Sequence, residues 1–433
     1  MSRPPTSSPQ AAPRRLERGD QLPLMCCEPP GLRARALARD LRRFEAPGVD
    51  TVRGDELAVP WAEACGSNVL DVDGNRYLDL TSGFGVAAIG HRHPRVLSAI
   101  AEQGGRLLHG LGDVAAHPAR VELAGRLVGL APFPARVYFA VSGSDAVEIA
   151  LKTAMLATER PGVLAFSPSY HGLSLGALAV SSRPAFRDPF AARLGAWVVR
   201  LPFGCPESEL EQALRQGAGR LGACLVEPIV GREGVLLPPA GWLSRLGALC
   251  AEHGLVRIAD EVFTGFGRAG ELFVSETDGY EPDLLCLGKA LGGGLPIAVV
   301  LGRAALLECW PGNGEALHTA TFLAHPLACA AALASLDVLE REDLVARSRR
   351  LGEHAGSRLR SLPVPVRGRG LLWGIESDRA EVAHRWADQA LRRGVIALAG
   401  GHRGTVLQVV PPLTITEEQL DCALDVIEQV VGR

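Results

Sequence analysis

The sequence has little charge of either sign to spare: 45 lysines and arginines stand against 48 acids, a formal net charge of −3 over 433 residues. That balance offers no basic surface to draw a nucleic acid or an anionic membrane. No apolar run is long enough to span a bilayer. The first twenty residues, MSRPPTSSPQAAPRRLERGD, lack the hydrophobic segment of a secretory signal and read as a disordered leader. Ten cysteines are present, but none in a CxxC pair and none at a Cys/His spacing suited to zinc, so no metal site is expected. They read as reduced thiols in a cytoplasmic compartment. Repeats are absent, and so are low-complexity tracts beyond residue 20. These absences leave small molecules and a second copy of the chain as the expected partners.

What is present is an alternation. GLRARALARDLRRFE has helical spacing, and NVLDVDGNRYLDL (68–80) reads as two strands joined at Asp73-Gly74, giving an N-terminal segment over 21–94 that belongs with a small domain. From 95 to 335 helical stretches alternate with apolar runs such as ARVYFAV, GVLAFS, ACLVEPIV, VRIADEV and PIAVVLG. The pattern predicts an α/β domain with a mostly parallel sheet covered by helices on both faces. A long helical pattern from His325 to Leu362, then strand, helix, strand and helix, predicts a small α+β C-terminal domain over 336–433. In an open parallel sheet ligands sit beyond the carboxyl ends of the strands, so the residues just after the apolar runs bear first scrutiny.

Lys289 stands there, between PDLLCLG and a run of glycines. An apolar pocket disfavours the ammonium form and leaves an amine able to condense with an aldehyde, for which pyridoxal 5'-phosphate is the candidate. That cofactor draws electrons only while its pyridine nitrogen is protonated, and a buried carboxylate keeps it so. Asp260, ending VRIAD, fits the need, although an acidic pair after a strand is more often a helix cap. Ser142-Gly143-Ser144, between a strand and a helical run, can hold a phosphate at the helix start; a plain serine cap is the commoner use of such residues. Tyr170-His171-Gly172 follows the run GVLAFS, where an aromatic could stack on a pyridine ring.

The ordered set VSGSDAVE, SYHG, EPIVG, ADEVFTGFGR, LGKALGGGLP and TATFLAHPLACAAAL closely resembles the class III, or omega, aminotransferases, pyridoxal-phosphate enzymes of fold type I with a seven-stranded sheet. The resemblance runs from about residue 60 to the C-terminus. It implies that Lys289 bonds the cofactor and, once released, serves as general base and acid, and that Asp260 pairs with the pyridine nitrogen. It further implies that Val262 and Tyr170 or His171 sandwich the ring, that Ser142 to Ser144 hold the phosphate and that Glu227 supports Asp260. Thr321 would reach the phosphate of the other subunit of a homodimer whose active sites are shared.

The chain departs from that family in its substrate residues. Members acting on 4-aminobutyrate or ornithine commonly carry an arginine after the His-Gly pair, where Leu173 stands, and another where Gln408 stands. The glutamate that pairs with the second arginine is here Arg232. The exchange keeps one cation and moves it to the opposite wall, where Arg232 would hold a substrate carboxylate; the alternative is a solvated arginine paired with Glu233. Phe84 falls at a pocket-lining position or packs the interface, and Phe263 replaces a frequent glutamine. The expected activity is transfer of an amino group from an ω-amino acid or amine, 4-aminobutyrate-like, to an oxo-acid such as 2-oxoglutarate. A racemase or aminomutase is the second reading, supported by the opening LPLMCCEPPGLRARALARDLRRFE, similar to that of some microbial 4-aminobutyrate aminotransferases and related racemases. A regulator with a dead cofactor site is disfavoured, since Lys289 and Asp260 are both in place.

Overall fold

The computed structural model describes residues 15–49, 59–312 and 314–432. Its centre is a seven-stranded sheet in the spatial order Ala135–Ala140, Ala298–Arg303, Leu284–Leu287, Val256–Asp260, Leu221–Val226, Gly162–Ser167, Val198–Pro202. Only Ala298–Arg303 runs against the rest: it pairs antiparallel with both neighbours, whereas the other neighbouring strands of this sheet pair in parallel. Successive residues of one strand belong to different sides. Leu285 and Leu287 join one apolar cluster while Leu284 and Cys286 join the other, and Val299 and Leu301 divide from Ala298 and Val300 in the same way. Burial on both faces is why these strands read as continuous apolar runs rather than alternating ones.

The expected sheet is therefore present, with one strand that the apolar runs did not single out. Val198–Pro202 lies at the sheet edge, paired only with Gly162–Ser167, and carries Arg200 in its middle. Leu284–Leu287 is four residues long and wholly buried.

The termini meet. Asn68–Asp71 and Arg76–Asp79 form the expected hairpin, flanked by Trp61–Cys65, and Val395–Ile396 from the C-terminal part pairs parallel to Arg76–Asp79. A second, antiparallel sheet of Val366–Arg369, Leu372–Glu376, Val406–Val409 and Leu398–Gly400 completes the C-terminal part.

Two expectations are corrected. The long helical pattern after residue 325 is two helices, Pro326–Arg341 and Leu344–Leu359. Asp343 turns between them at φ 46°, a left-handed conformation that aspartate tolerates better than most residues. The expected disordered leader over 1–20 also fails over residues 15–20. Residues 1–14 lie outside the described residues, but Leu16 is buried, its N–H donates to Glu63 Oε2 (2.9 Å), and Gly19 O accepts from Ser67 N–H (3.0 Å). At Gly19 a Cβ would stand 2.5 Å from the backbone of Cys65, so glycine is what lets this segment lie on the N-terminal sheet.

Candidate active site

Five loops leave the same edge of the large sheet and carry the residues singled out above. Asp260 ends its strand, buried, with His171 Nδ1 2.8 Å from one carboxylate oxygen and the Val262 N–H donating to the other at 3.1 Å. His171 comes from the loop after Gly162–Ser167, and its own N–H donates to Ser181 Oγ (2.9 Å). The opposite ring nitrogen, Nε2, is buried with no hydrogen-bond partner among the described residues. Glu227, first residue after Leu221–Val226, accepts the Tyr170 N–H (2.8 Å) and the Gly231 N–H (3.2 Å). Burial is the main cause that pushes its carboxyl up to about 7, His171 opposing and the nearby Asp260 charge adding to the rise. Glu261, next to Asp260 in sequence, is a structural anchor instead, accepting from Val274 N–H, Ser275 N–H and Oγ, and Thr264 Oγ1.

Lys289 follows Leu284–Leu287 at φ 43°, a left-handed conformation rare for lysine and of the kind that gathers at functional sites. Desolvation lowers its pKa to about 8, against the attraction of Asp260 and Glu227 and with help from Arg232 and Arg268. Its Nζ stands 4.1 Å from the centre of the Phe263 ring. That ring fits only because two chain segments lack side chains: a Cβ at Gly85 would come within 2.6 Å of it and one at Gly231 within 2.0 Å.

Ser142 caps the helix Gly143–Thr158, its hydroxyl accepting the Asp145 N–H (3.2 Å), and Ser144 Oγ lies 2.6 Å from Ser174 Oγ. The capping use is thus the one on display, at a helix start that also presents free amides. A Cβ at Gly143 would meet Val262 at 2.8 Å, so this helix start rests directly against the strand end that carries Asp260. Glu148, at the end of VSGSDAVE, carries a role its sequence position does not reveal: one of its oxygens accepts from Ser174 Oγ, Gly176 N–H and Ala177 N–H, and so fixes the loop behind Tyr170 and His171.

The substrate candidates divide. Arg232 stacks over Tyr170, 4.2 Å from its ring centre, and over Phe186 at 5.3 Å. The expected alternative, a pair with Glu233, is not formed: Glu233 is buried and bound to Arg183 (2.9 Å), with His402 at 3.4 Å. Gln408 is at the site's wall, its Nε2 donating to the carbonyls of Gly231 and Arg232. Phe84 is 67 % exposed at φ 59°, on a turn held by Asp79, whose carboxylate accepts from Thr81 and Gly83 and pairs with His91. Thr321 is exposed; its carbonyl accepts from His109 Nε2 (2.9 Å), and among the described residues no hydrogen bond joins it to Lys289.

A desolvated amine, a held carboxylate, a histidine nitrogen without a partner and a helix start with free amides together suit pyridoxal 5'-phosphate. Comparison with known proteins agrees. The family model of the class-III aminotransferases matches residues 50–431. The acetylornithine aminotransferase of Methanosarcina acetivorans is 36 % identical over 368 residues, covering 84 % of this chain and 89 % of its own. The putrescine aminotransferase of Pectobacterium atrosepticum is 36 % identical over 402 residues, 88 % of this chain and 85 % of its own. Among solved structures, the Toxoplasma gondii ornithine aminotransferase superposes with a TM-score of 0.85 at 29 % identity, covering 92 % of this chain and 94 % of that one. A PLP-bound amine transaminase from an uncultivated Pseudomonas species gives 0.81 at 31 %, covering 90 % and 98 %.

Proposed function

The chain belongs to the class-III aminotransferases, pyridoxal-phosphate-dependent transaminases, and from that premise we propose that it moves an amino group from an ω-amino acid or amine, 4-aminobutyrate-like, to an oxo-acid such as 2-oxoglutarate. The observation that carries the proposal is Lys289, its amine brought down to about 8 beside the Asp260–His171 pair. Relatives named for acetylornithine, putrescine and ornithine support a donor with an amine at the end of its chain.

The cofactor supplies an aldehyde for the amine and a ring that acidifies the neighbouring carbon. Lys289, about half neutral near pH 8, would take a proton from the substrate carbon and return it on the other side of the transfer. Asp260 stays in place through its contacts with His171 and the Val262 N–H, and holds a proton on the ring nitrogen. Val262 and Tyr170 or His171 bracket the ring; Ser142, Gly143 and Ser144 receive the phosphate. Glu227 keeps the Tyr170 loop against the Asp260 strand. Phe84 lines the substrate pocket as an aromatic wall, Thr321, exposed in one chain, serves the site of a second copy, and the enzyme works in the cytoplasm as a homodimer whose ten cysteines stay free.

The holoenzyme mixed with 4-aminobutyrate, ornithine, putrescine or alanine, without oxo-acid, tests this. Loss of the visible band of the bound cofactor, restored by 2-oxoglutarate and lost in Lys289→Ala with a rate reduction of roughly 10²- to 10⁴-fold, is expected. An unchanged band with loss of optical purity in the amino acid would instead identify a racemase.

A further inference from the structure

Arg232 is partly buried, and both aromatic neighbours lie against its guanidinium while Tyr170 and Phe186 meet each other edge-on at 6.1 Å. Stacking uses the faces of a guanidinium and leaves its donor edge open. Among the described residues no carboxylate pairs with it. Glu233, next in sequence, is turned to Arg183, whose guanidinium also donates to Gly401 O (2.7 Å), and Glu233 Oε1 remains without a partner rather than reaching Arg232. The main chain here is clasped from the C-terminal part, by Gln408 on the carbonyls of 231 and 232 and by the His402 N–H on Glu233 O (3.0 Å). The loop is therefore fixed and the cation is held out from it.

Its place relative to the chemistry follows from contacts. Gly231 backs onto the Phe263 ring, and that ring lies under Lys289 Nζ. A partly desolvated cation with no internal anion, one residue from the ring that supports the reacting amine, is half of an ion pair whose other half arrives with the substrate.

We propose that Arg232 is a fixed carboxylate-binding residue of the substrate pocket, resting on the transaminase reading above and naming its substrate class as carboxylate-bearing donors and acceptors. No acid is placed to neutralise the cation when the substrate lacks a carboxylate, so the pocket discriminates against plain amines.

Glutarate, which has two carboxylates and no amine, probes the site without any turnover. Calorimetric titration of the holoenzyme should show binding that weakens roughly ten- to hundredfold in Arg232→Met and in Arg232→Gln, the loss expected for one charge-assisted bidentate contact. The visible band of the bound cofactor should persist in a variant whose site is otherwise intact. Either variant binding glutarate as tightly as the unchanged holoenzyme overturns the proposal, as does an unchanged holoenzyme that takes up no glutarate. Failure of the half-reaction with every amino donor, 4-aminobutyrate, ornithine and alanine included, would remove the transaminase reading and leave the glutarate result standing, so the two fail separately.

Discussion

Lys289 shows how much one side chain depends on its surroundings. A lysine in water keeps its proton to above pH 10, but burial brings this amine to about 8. The sign follows: the neutral amine is the reactive form, and depressing the pKa widens its range downward. Loading of the apoprotein with pyridoxal phosphate, followed by growth of the visible band, should therefore accelerate with pH through an inflection near 8. An inflection above 10 would show that the pocket does not desolvate the lysine. The residues around it were legible to different degrees. Lys289 and Asp260 announce themselves by standing after apolar runs. His171 does not, because a histidine in a loop has many uses, and only its approach to Asp260, 89 residues away in sequence, selects one.

At the scale of elements, the strand ends and the glycines between them decide who touches whom. Phe263 occupies a slot made by Gly85 and Gly231, and a methyl group at 231 would overlap the ring. Gly231→Ala should displace the ring from under Lys289 and destabilise the fold by roughly 1–3 kcal/mol, the usual cost of overpacking. Phe263→Leu on the same chain should recover much of that loss, and a double-mutant cycle by chemical denaturation would measure the coupling. Additive effects would mean that the ring and the glycine do not share the slot. Most of the parallel sheet was readable as apolar runs separated by helical spacing, since double-sided burial demands such runs. Val198–Pro202 was not: as an edge strand it tolerates Arg200 and resembles a loop in sequence.

For the whole molecule, buried links tie distant segments into one body. Arg268, fully buried, donates to the carbonyls of Leu371 and Pro411 and to Ser82 Oγ, joining the Asp260 loop to both the N-terminal and C-terminal parts. Outside, Leu108, Leu111, Val114 and Phe322 are exposed on two segments that meet where His109 bonds to Thr321. An apolar surface of this kind suits the interface of the homodimer proposed above, and Thr321 lies beside it. Sedimentation should give twice the 45.8 kDa chain mass, and Leu108→Asp with Phe322→Asp should shift the protein toward a single chain that retains its cofactor poorly. A variant that stays at twice the chain mass would place the interface elsewhere.

The sequence alone determined the family, through motifs that resemble those of the class-III aminotransferases, and the alternation of strand and helix, because a residue's distance from the end of an apolar run is kept on folding. It also named Arg232 as the unusual cation. Tertiary structure alone decided that Glu233 would pair with Arg183 and not with Arg232, and that Leu16 would be buried rather than free. Both outcomes depend on which loops and termini meet in space, and a carboxylate takes the cation that its fixed backbone lets it reach, whatever stands beside it in the chain.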